Sequence, residues 1–530
     1  MTHQAQAQPM AARVWLWILG AVLAVAGLAF LAGGAKLISL GGSWYFGLAG
    51  LGLLAAGVQT IRRQRSGAWL YLLTFAATVV WALCEVGLDY WSLISRLLAL
   101  TFGAVVVLAS MPLLRKAGAP AAPVTGSAKA PFAAAGVLLL AGLAAFASMF
   151  QIHPEVSAHT AAATRKPVDA ASAQKDWNHY GNGSNNDRFA ALDQINVDNV
   201  NQLQVAWTFH TGDIPKSTGA GAEDQLTPLQ VGDKVFLCTP SNNVIALDAD
   251  SGQQLWRHDT NSHVGGVWER CRGLAYFDAD APLAQPSVPG STPVKAVSLP
   301  ASTSCKRRIL MNTIDARLFA LNADTGALCE DFGDHGVVDL KQGMGNIPNP
   351  AYYTLTSAPT VAGTTIVVGG RVADNVQVDM PGGVIRGFDV VTGAQRWAFD
   401  SGSATPNERP KPGQTYTRSS ANVWAGTTYD PSSNTVYLPM GSASVDLYGA
   451  TRSAADLKYG ASILALDAAT GKEKWVYQTV HNDLWDFDIP MAPTLIDFPQ
   501  KDGATTPALV VGTKAGQIFV LDRKTGQPLT

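Results

Sequence analysis

The sequence is short of charge and of cysteine. Only 15% of its 530 residues are Asp, Glu, Lys or Arg, and the formal net charge is −2. No basic surplus is available to neutralise a phosphate backbone, which excludes nucleic acid as a partner. The five cysteines are Cys84, Cys238, Cys271, Cys305 and Cys329, and no two are spaced as CxxC. That argues against a zinc site, and the absence of a CxxCH run argues against an attached haem. Mean hydropathy is nevertheless +0.11, and the apolar excess is confined to the front of the chain. The length is also too great for one ordinary domain.

The front holds five apolar segments, at about 14–33, 41–60, 68–88, 92–112 and 132–151. Each has about the 20 residues a helix needs to cross roughly 30 Å of hydrocarbon. A cleaved signal peptide has a single shorter apolar core, so that reading fails. Arg62, Arg63 and Arg65 mark the second loop, and Arg115, Lys116 and Lys129 the fourth; Lys36 leaves the first ambiguous. The third carries Glu85 and Asp89, with Arg96 close by. Basic loops stay in the cytoplasm, which puts the amino terminus inside and everything after residue 151 outside. Trp44, Tyr45, Tyr90 and Trp91 then fall at the outer interface. Glu85 and Asp89 read either as headgroup-level acids or as a polar patch near a quinone. An outer compartment is oxidising, so the four later cysteines are expected in disulfides, with Cys271 to Cys305 the favoured pairing.

The expected organisation is a membrane domain over 1–151, a linker over 152–175 and a soluble domain over 176–530. The linker is rich in Ala, Thr and Ser and holds Pro154 and Pro167, a flexible composition. Beyond it one pattern recurs: VIALDADSGQQLW (244–256), LFALNADTGALC (318–329), VIRGFDVVTGAQRW (384–397), ILALDAATGKEKW (463–475) and IFVLDRKTGQPL (518–529). Each copy is an apolar strand, a tight turn needing a residue tolerant of positive φ, and often a tryptophan. Recurrence at intervals of roughly 50–80 residues predicts a toroid of small sheets. Trp256, Trp397 and Trp475 are then expected as packing between neighbouring blades.

The stretch HNDLWDFD (481–488) crowds Asp483, Asp486 and Asp488 with His481 and Trp485, and Lys514 follows the apolar run Ala508–Val511. A carboxylate, a cation and an aromatic surface could host metal-assisted proton abstraction. Alternatively, an Asp/Asn-rich segment is a turn with solvated acids.

The repeats resemble those of the quinoprotein dehydrogenases, eight-bladed β-propellers that bind pyrroloquinoline quinone (PQQ). DWNHYGNGSNNDRFAALDQINVDNVNQLQVAWTFHTGD (176–213) resembles that family's opening motif, including Trp177, Tyr180, Gly181, Arg188, Phe189 and Trp207. With five amino-terminal crossings, the likeness is to the membrane-bound glucose/quinate/shikimate branch. The adjacent Cys–Cys pair of soluble relatives is missing. The resemblance implies five transmembrane helices followed by an all-β propeller with about the first five blades present. It implies oxidation of a polyol hydroxyl in the periplasm, with PQQ and Ca2+ (or Mg2+) as cofactors and membrane ubiquinone as electron acceptor.

Residue by residue, the likeness makes Asp486 the general base and a metal neighbour, with Asp483 as runner-up. Lys514 matches the lysine that hydrogen-bonds the quinone oxygens. Asp374, with Asn375 beside it, aligns with the acidic metal ligand, and Ser444 stands where soluble relatives have asparagine. Trp424 resembles the tryptophan under the cofactor rings, Arg272 the arginine on a cofactor carboxylate, and Gln225 occupies a cofactor-proximal position.

Two departures bear on function. Glucose enzymes carry histidine three residues before the CRG cysteine, where this chain has Trp268, then Glu269 and Arg270; His263 is near but differently spaced. The exchange favours a larger or carboxylated ring such as quinate or shikimate, with Arg270 a candidate carboxylate partner. The chain also stops at TGQPLT, just after the fifth repeat. The expectation is a fragment, a premature stop or one half of a split protein, inactive alone, which in-frame coding sequence after Thr530 would decide. Competing readings are a non-catalytic propeller scaffold and a soluble quinoprotein feeding a cytochrome. A scaffold has no need of Asp374, Asp486, Lys514 and Trp424 together.

Overall fold

A computed structural model describes residues 9–114, 129–150, 176–190, 192–214, 223–265, 267–300, 303, 305–500 and 503–530. The chain divides into two compact units, Met1–Ala163 and Thr164–Thr530. The expected linker, and Arg115 and Lys116, lie outside the described residues.

Among its described residues, the first unit holds five apolar helices: α1 (Met10–Ser39), α2 (Tyr45–Ile61), α3 (Arg65–Val86), α4 (Tyr90–Ser110) and α5 (Lys129–Ser148). Four are long and apolar enough to cross a membrane; α2, at 17 residues, is shorter. At 1.5 Å per residue it reaches about 25 Å. The sequence segment began at residue 41, but Gly41 takes φ +78° and the helix starts only at Tyr45. Small residues bring α1 against α2. A Cβ on Gly27 would sit 2.4 Å from Leu54 N, and one on Gly57 2.5 Å from Ala24 N. Such close backbone approach is how helices associate where no hydrophobic drive exists. The two loop acids have local partners: Asp89 accepts from Ser92 N at 2.9 Å to cap α4, and Glu85 pairs with Arg96 at 2.9 Å.

The second unit is built of antiparallel sheets whose strands follow chain order. Four are four-stranded: I (229–258), II (275–339), III (360–399) and IV (428–478). Sheet V (494–522) has three strands, and a ribbon pairs Tyr353–Thr354 with Arg371–Val372. The first strands of sheets II, III, IV and V are neighbours in that order, so the sheets radiate from a common axis. The apolar core is accordingly a series of layers between consecutive sheets. Phe236, Trp256, Ile309 and Met311 fill one such layer, and Trp397, Phe399, Val436 and Leu464 another.

The recurring turn explains the repeat. In each copy the first Asp or Asn side chain accepts from the amide three residues on: Ser251 to Asp248, Thr325 to Asn322, Thr392 to Asp389, Thr470 to Asp467 and Thr525 to Asp522. The glycine that follows sits at φ +68° to +73°, a conformation costly for other residues. In three of these copies it also faces an indole, Trp397 on Gly471, Trp475 on Gly526 and Trp256 on Gly326, whereas Gly393 meets Gly333 and Val338. Each indole Nε1 donates to a carbonyl of the next sheet, at 3.0 Å to Ala468, 3.1 Å to Arg523 and 3.2 Å to Ala323. The three tryptophans are inter-blade packing, as expected. Trp207 does the same on Gly252 and Ala249.

The disulfide expectation needs correction. Cys238 pairs with Cys271 and Cys305 with Cys329, at Cα separations of 6.1 and 5.7 Å. Cys238 ends the second strand of sheet I, which brings it beside Cys271.

Candidate active site

Three segments converge on one cavity. The first is the loop after sheet IV. Asp483 sits inside it and accepts from the amides of Trp485 (2.9 Å) and Phe487 (2.8 Å). That fold-back puts Asp486 at φ +61°, a region few non-glycine residues enter and one that clusters at functional sites. Asp486 and Asp488 thereby face Lys514, which leaves the middle strand of sheet V two residues earlier. Lys514 Nζ lies 2.8 Å from Asp486 Oδ1 and also contacts Asp488. Burial pulls the Lys514 ammonium down, but its bonds to Asp486 and Asp488 outweigh that and raise it.

The second segment supplies a flat floor. Trp424 Nε1 donates to Asp488 Oδ2 at 2.7 Å, so the indole is locked in plane. Lys514 Nζ stands 5.3 Å and the Arg272 guanidinium carbon 5.7 Å from its ring centroid. Both distances are within cation–π range. Burial and the repulsion of Arg270 bring the Arg272 guanidinium down to about 10.

The third element is a carboxylate cluster. Asp374, Asp446 and Asp486 each place an oxygen within 4.8 Å of the others. Burial, with Asp374, Asp488 and Asp486 nearby, pushes Asp446 up to about 7. Hard divalent cations want such oxygens, so the donor set fits Ca2+ or Mg2+. All of this lines one cavity of about 400 Å3, with Trp268, Arg270, Arg371 and Asn422 completing the wall. The size is that of a small-molecule site. Asn422 Oδ1 is buried there with no hydrogen-bond partner, as a polar atom facing an absent ligand would be. A second cavity of about 410 Å3 shares Arg272 but holds neither the lysine nor the clustered acids.

The structure sorts the expected residues. Asp486, Lys514, Trp424, Arg272 and Asp374 meet in the cavity. Asn375 and Ser444 are beside it but engaged elsewhere: Asn375 Oδ1 accepts from Leu447 N at 3.0 Å, and Ser444 Oγ donates to Ala373 O at 3.2 Å. They tie the Asp374 and Asp446 loops together. Asp483 is a loop former, with both oxygens on backbone amides. Gln225 is exposed and bonds Glu223 at 2.6 Å, outside the cavity lining. His481 is exposed on Gln478, and Trp485 is 76% exposed. His263 pairs with Glu269. Sequence reading singled out Asp488 with its neighbours but missed Asp446 and Arg371 as cavity residues. For Asp446 the signal was present, two residues after Ser444.

A family model for the PQQ glucose/ethanol/alcohol dehydrogenase β-propeller domain matches residues 177–530. The quinate/shikimate dehydrogenase (quinone) of Acinetobacter baylyi is 54% identical over 98% of this chain and 63% of its own length. The quinoprotein glucose dehydrogenase of Escherichia coli is 38% identical over 95% of this chain and 61% of its own. The chain thus spans somewhat under two thirds of these relatives. Among solved structures, a quinohemoprotein alcohol dehydrogenase of Pseudomonas putida HK5 matches with TM-score 0.51 and 25% identity, over 67% of this chain and 47% of that one.

Proposed function

The chain belongs to the PQQ-dependent glucose/ethanol/alcohol dehydrogenase β-propeller family, and from that premise we propose that it oxidises a ring hydroxyl of a quinate- or shikimate-type substrate. The observation that carries this reading is the single cavity joining Asp486, Lys514 and Trp424 to the Asp374–Asp446–Asp486 cluster. The Trp424 face, Arg272 and Lys514 would hold PQQ, and Asp374, Asp446 and Asp486 a divalent cation. PQQ, when bound, supplies the two-electron acceptor that an alcohol needs to become a ketone. Asp486 takes the hydroxyl proton. Lys514 orients that carboxylate from 2.8 Å, and the buried Asp488 fixes both Lys514 and the indole plane. Asn375 and Ser444 hold the metal-side loops in register.

Electrons pass to membrane ubiquinone, with all five apolar helices crossing an inner membrane and the propeller on its periplasmic side. Arg62, Arg63 and Arg65 support that orientation by the charge bias of cytoplasmic loops. Two disulfides in the second unit suit an oxidising compartment. The propeller is of the eight-bladed type, with sheets I–V as five of its blades. The choice of quinate or shikimate over glucose rests on Trp268 and Arg270 in the cavity wall and on the 54% identity above.

The test is dye reduction by membranes carrying the whole product of the reading frame that contains this chain, loaded with PQQ and Ca2+. Quinate or shikimate should be oxidised faster than glucose, and Asp486→Asn should lose about 10²–10⁴ of the rate, the usual contribution of a positioned base. Equal rates on all three substrates, or an active Asp486→Asn, would refute the reading.

A further inference from the structure

Two arginines in the cavity wall have no part in the chemistry above. Arg270 precedes Cys271, whose disulfide to Cys238 pins the segment to sheet I. Arg371 opens the second strand of the short ribbon. Both line the cavity with Arg272. Their charges are close enough to act on one another: after burial and Glu223, Arg371 depresses Arg270, and Arg270 depresses Arg272. Of the acids nearby, Glu223 and Asp374 neutralise Arg270 and Arg371 through one nitrogen each, which leaves the rest of each guanidinium for another anion.

Neither arginine is fully occupied. Arg270 uses Nη1 on Glu223 at 3.2 Å and Nε on the Trp268 carbonyl at 3.4 Å. Arg371 uses Nη2 on Asp374 at 3.2 Å. Among the described residues, Arg270 Nη2 and Arg371 Nε and Nη1 make no hydrogen bond. Their side chains are 20% and 34% exposed, so the free edges remain accessible. A planar fork with a free edge suits a carboxylate.

We propose that Arg270 and Arg371 form a clamp for the carboxylate of a cyclic hydroxy-acid substrate, with Trp268 offering a flat face to its ring. The proposal rests on the dehydrogenase reading and adds its specificity determinants. The cofactor carries carboxylates too, but the geometry separates the two claims. Arg272 stands over Trp424, where flat rings would lie, whereas Arg270 stacks 5.4 Å over Trp268 and Arg371 reaches the acid cluster through Asp374. Arg371 is 3.2 Å from Asp374, whose carboxylate lies within 4.8 Å of that of Asp486. A carboxylate on Arg371 and a hydroxyl facing Asp486 therefore belong on one small molecule.

The experiment compares quinate with its methyl ester on membranes carrying the full chain, as wild type, Arg270→Gln, Arg371→Gln and Arg371→Lys. PQQ affinity is measured in parallel by cofactor titration. Each loss of a charged hydrogen bond should raise KM for quinate roughly ten- to a hundredfold. For Arg270→Gln, which lies away from the acid cluster, KM for the ester, kcat and PQQ affinity should stay near wild type; Arg371→Lys, which keeps a cation beside Asp374, should recover part of the loss seen in Arg371→Gln. If the ester suffers equally, or PQQ affinity falls in step, the arginines serve the cofactor or the fold and the clamp is wrong. A wild-type protein that oxidises quinate while the variants keep its KM also refutes the clamp, leaving the dehydrogenase reading standing. A wild-type protein that takes neither quinate nor shikimate sinks that reading and the clamp with it.

Discussion

Asp446 is held at about 7 by burial and by Asp374, Asp488 and Asp486, against an ordinary value of 3.8. The sign of its effect follows. Between about pH 4 and 7 the folded chain keeps a proton that the unfolded chain has released, so stability falls as pH rises through that window. At about 1.4 kcal/mol for each tenfold in proton affinity, the loss is a few kcal/mol at most. A divalent cation held by the cluster would replace that proton and reverse the slope. Metal-free protein should therefore melt lower at pH 8 than at pH 5.5, Asp446→Asn should flatten the difference, and Ca2+ should restore melting temperature at pH 8. A slope unchanged by Asp446→Asn would contradict the assignment. Asp486, Lys514, Trp424, Arg272 and Asp374 were singled out through the resemblance of their short motifs to the quinoprotein dehydrogenases, and the fold brings them to one cavity. Asp446 was not, because the motif drew attention to Ser444, and only the fold shows the Ser444 hydroxyl spent on the Ala373 carbonyl. Trp485 misled for a similar reason: next to Asp486 in sequence, it points to solvent, and the ring beside the lysine is Trp424 from another blade.

Among the sheets, II differs from its neighbours. Where sheets I, III and IV end their repeat in tryptophan, sheet II has Cys329, bonded to Cys305 across 24 residues. Closing a loop of that size restricts the unfolded chain by roughly 3 kcal/mol, similar to the ~3–5 kcal/mol lost on truncating a buried tryptophan. Cys329→Ser should lower unfolding free energy by about 2–4 kcal/mol, and reductant should cost the wild type more than the variant, in which only Cys238–Cys271 is left to open. A variant that melts with wild type under oxidising conditions would show the crosslink to be idle. The repeats were readable because one Asx turn and one positive-φ glycine recur at the same offset. The pairing of cysteines was not readable, since it depends on which strand ends come together in the ring. The apolar segments were placed to within about six residues: α1 runs on to Ser39, six beyond its expected end, and Gly41 and its neighbours delay the start of α2 by four.

At the level of the whole molecule, a chain with net charge −2 divides its labour by composition. The apolar front supplies helices with glycine-lined contacts, and the mixed polar remainder supplies radiating sheets whose loops gather acids, arginines and one lysine at a single cavity. Fold class was legible because both halves carry strong periodic signals, whereas the cavity is assembled from sheets II to V and has no contiguous signature. The account depends on that cavity being where cofactor and metal are held together. The direct measurement is retention of PQQ by the solubilised full chain after gel filtration, with and without Ca2+, for wild type and an Asp374→Asn/Asp446→Asn double variant. Wild type should retain the cofactor only when Ca2+ is present, and the double variant should retain none in either condition. Equal retention by the two proteins, or retention indifferent to Ca2+, would contradict the account.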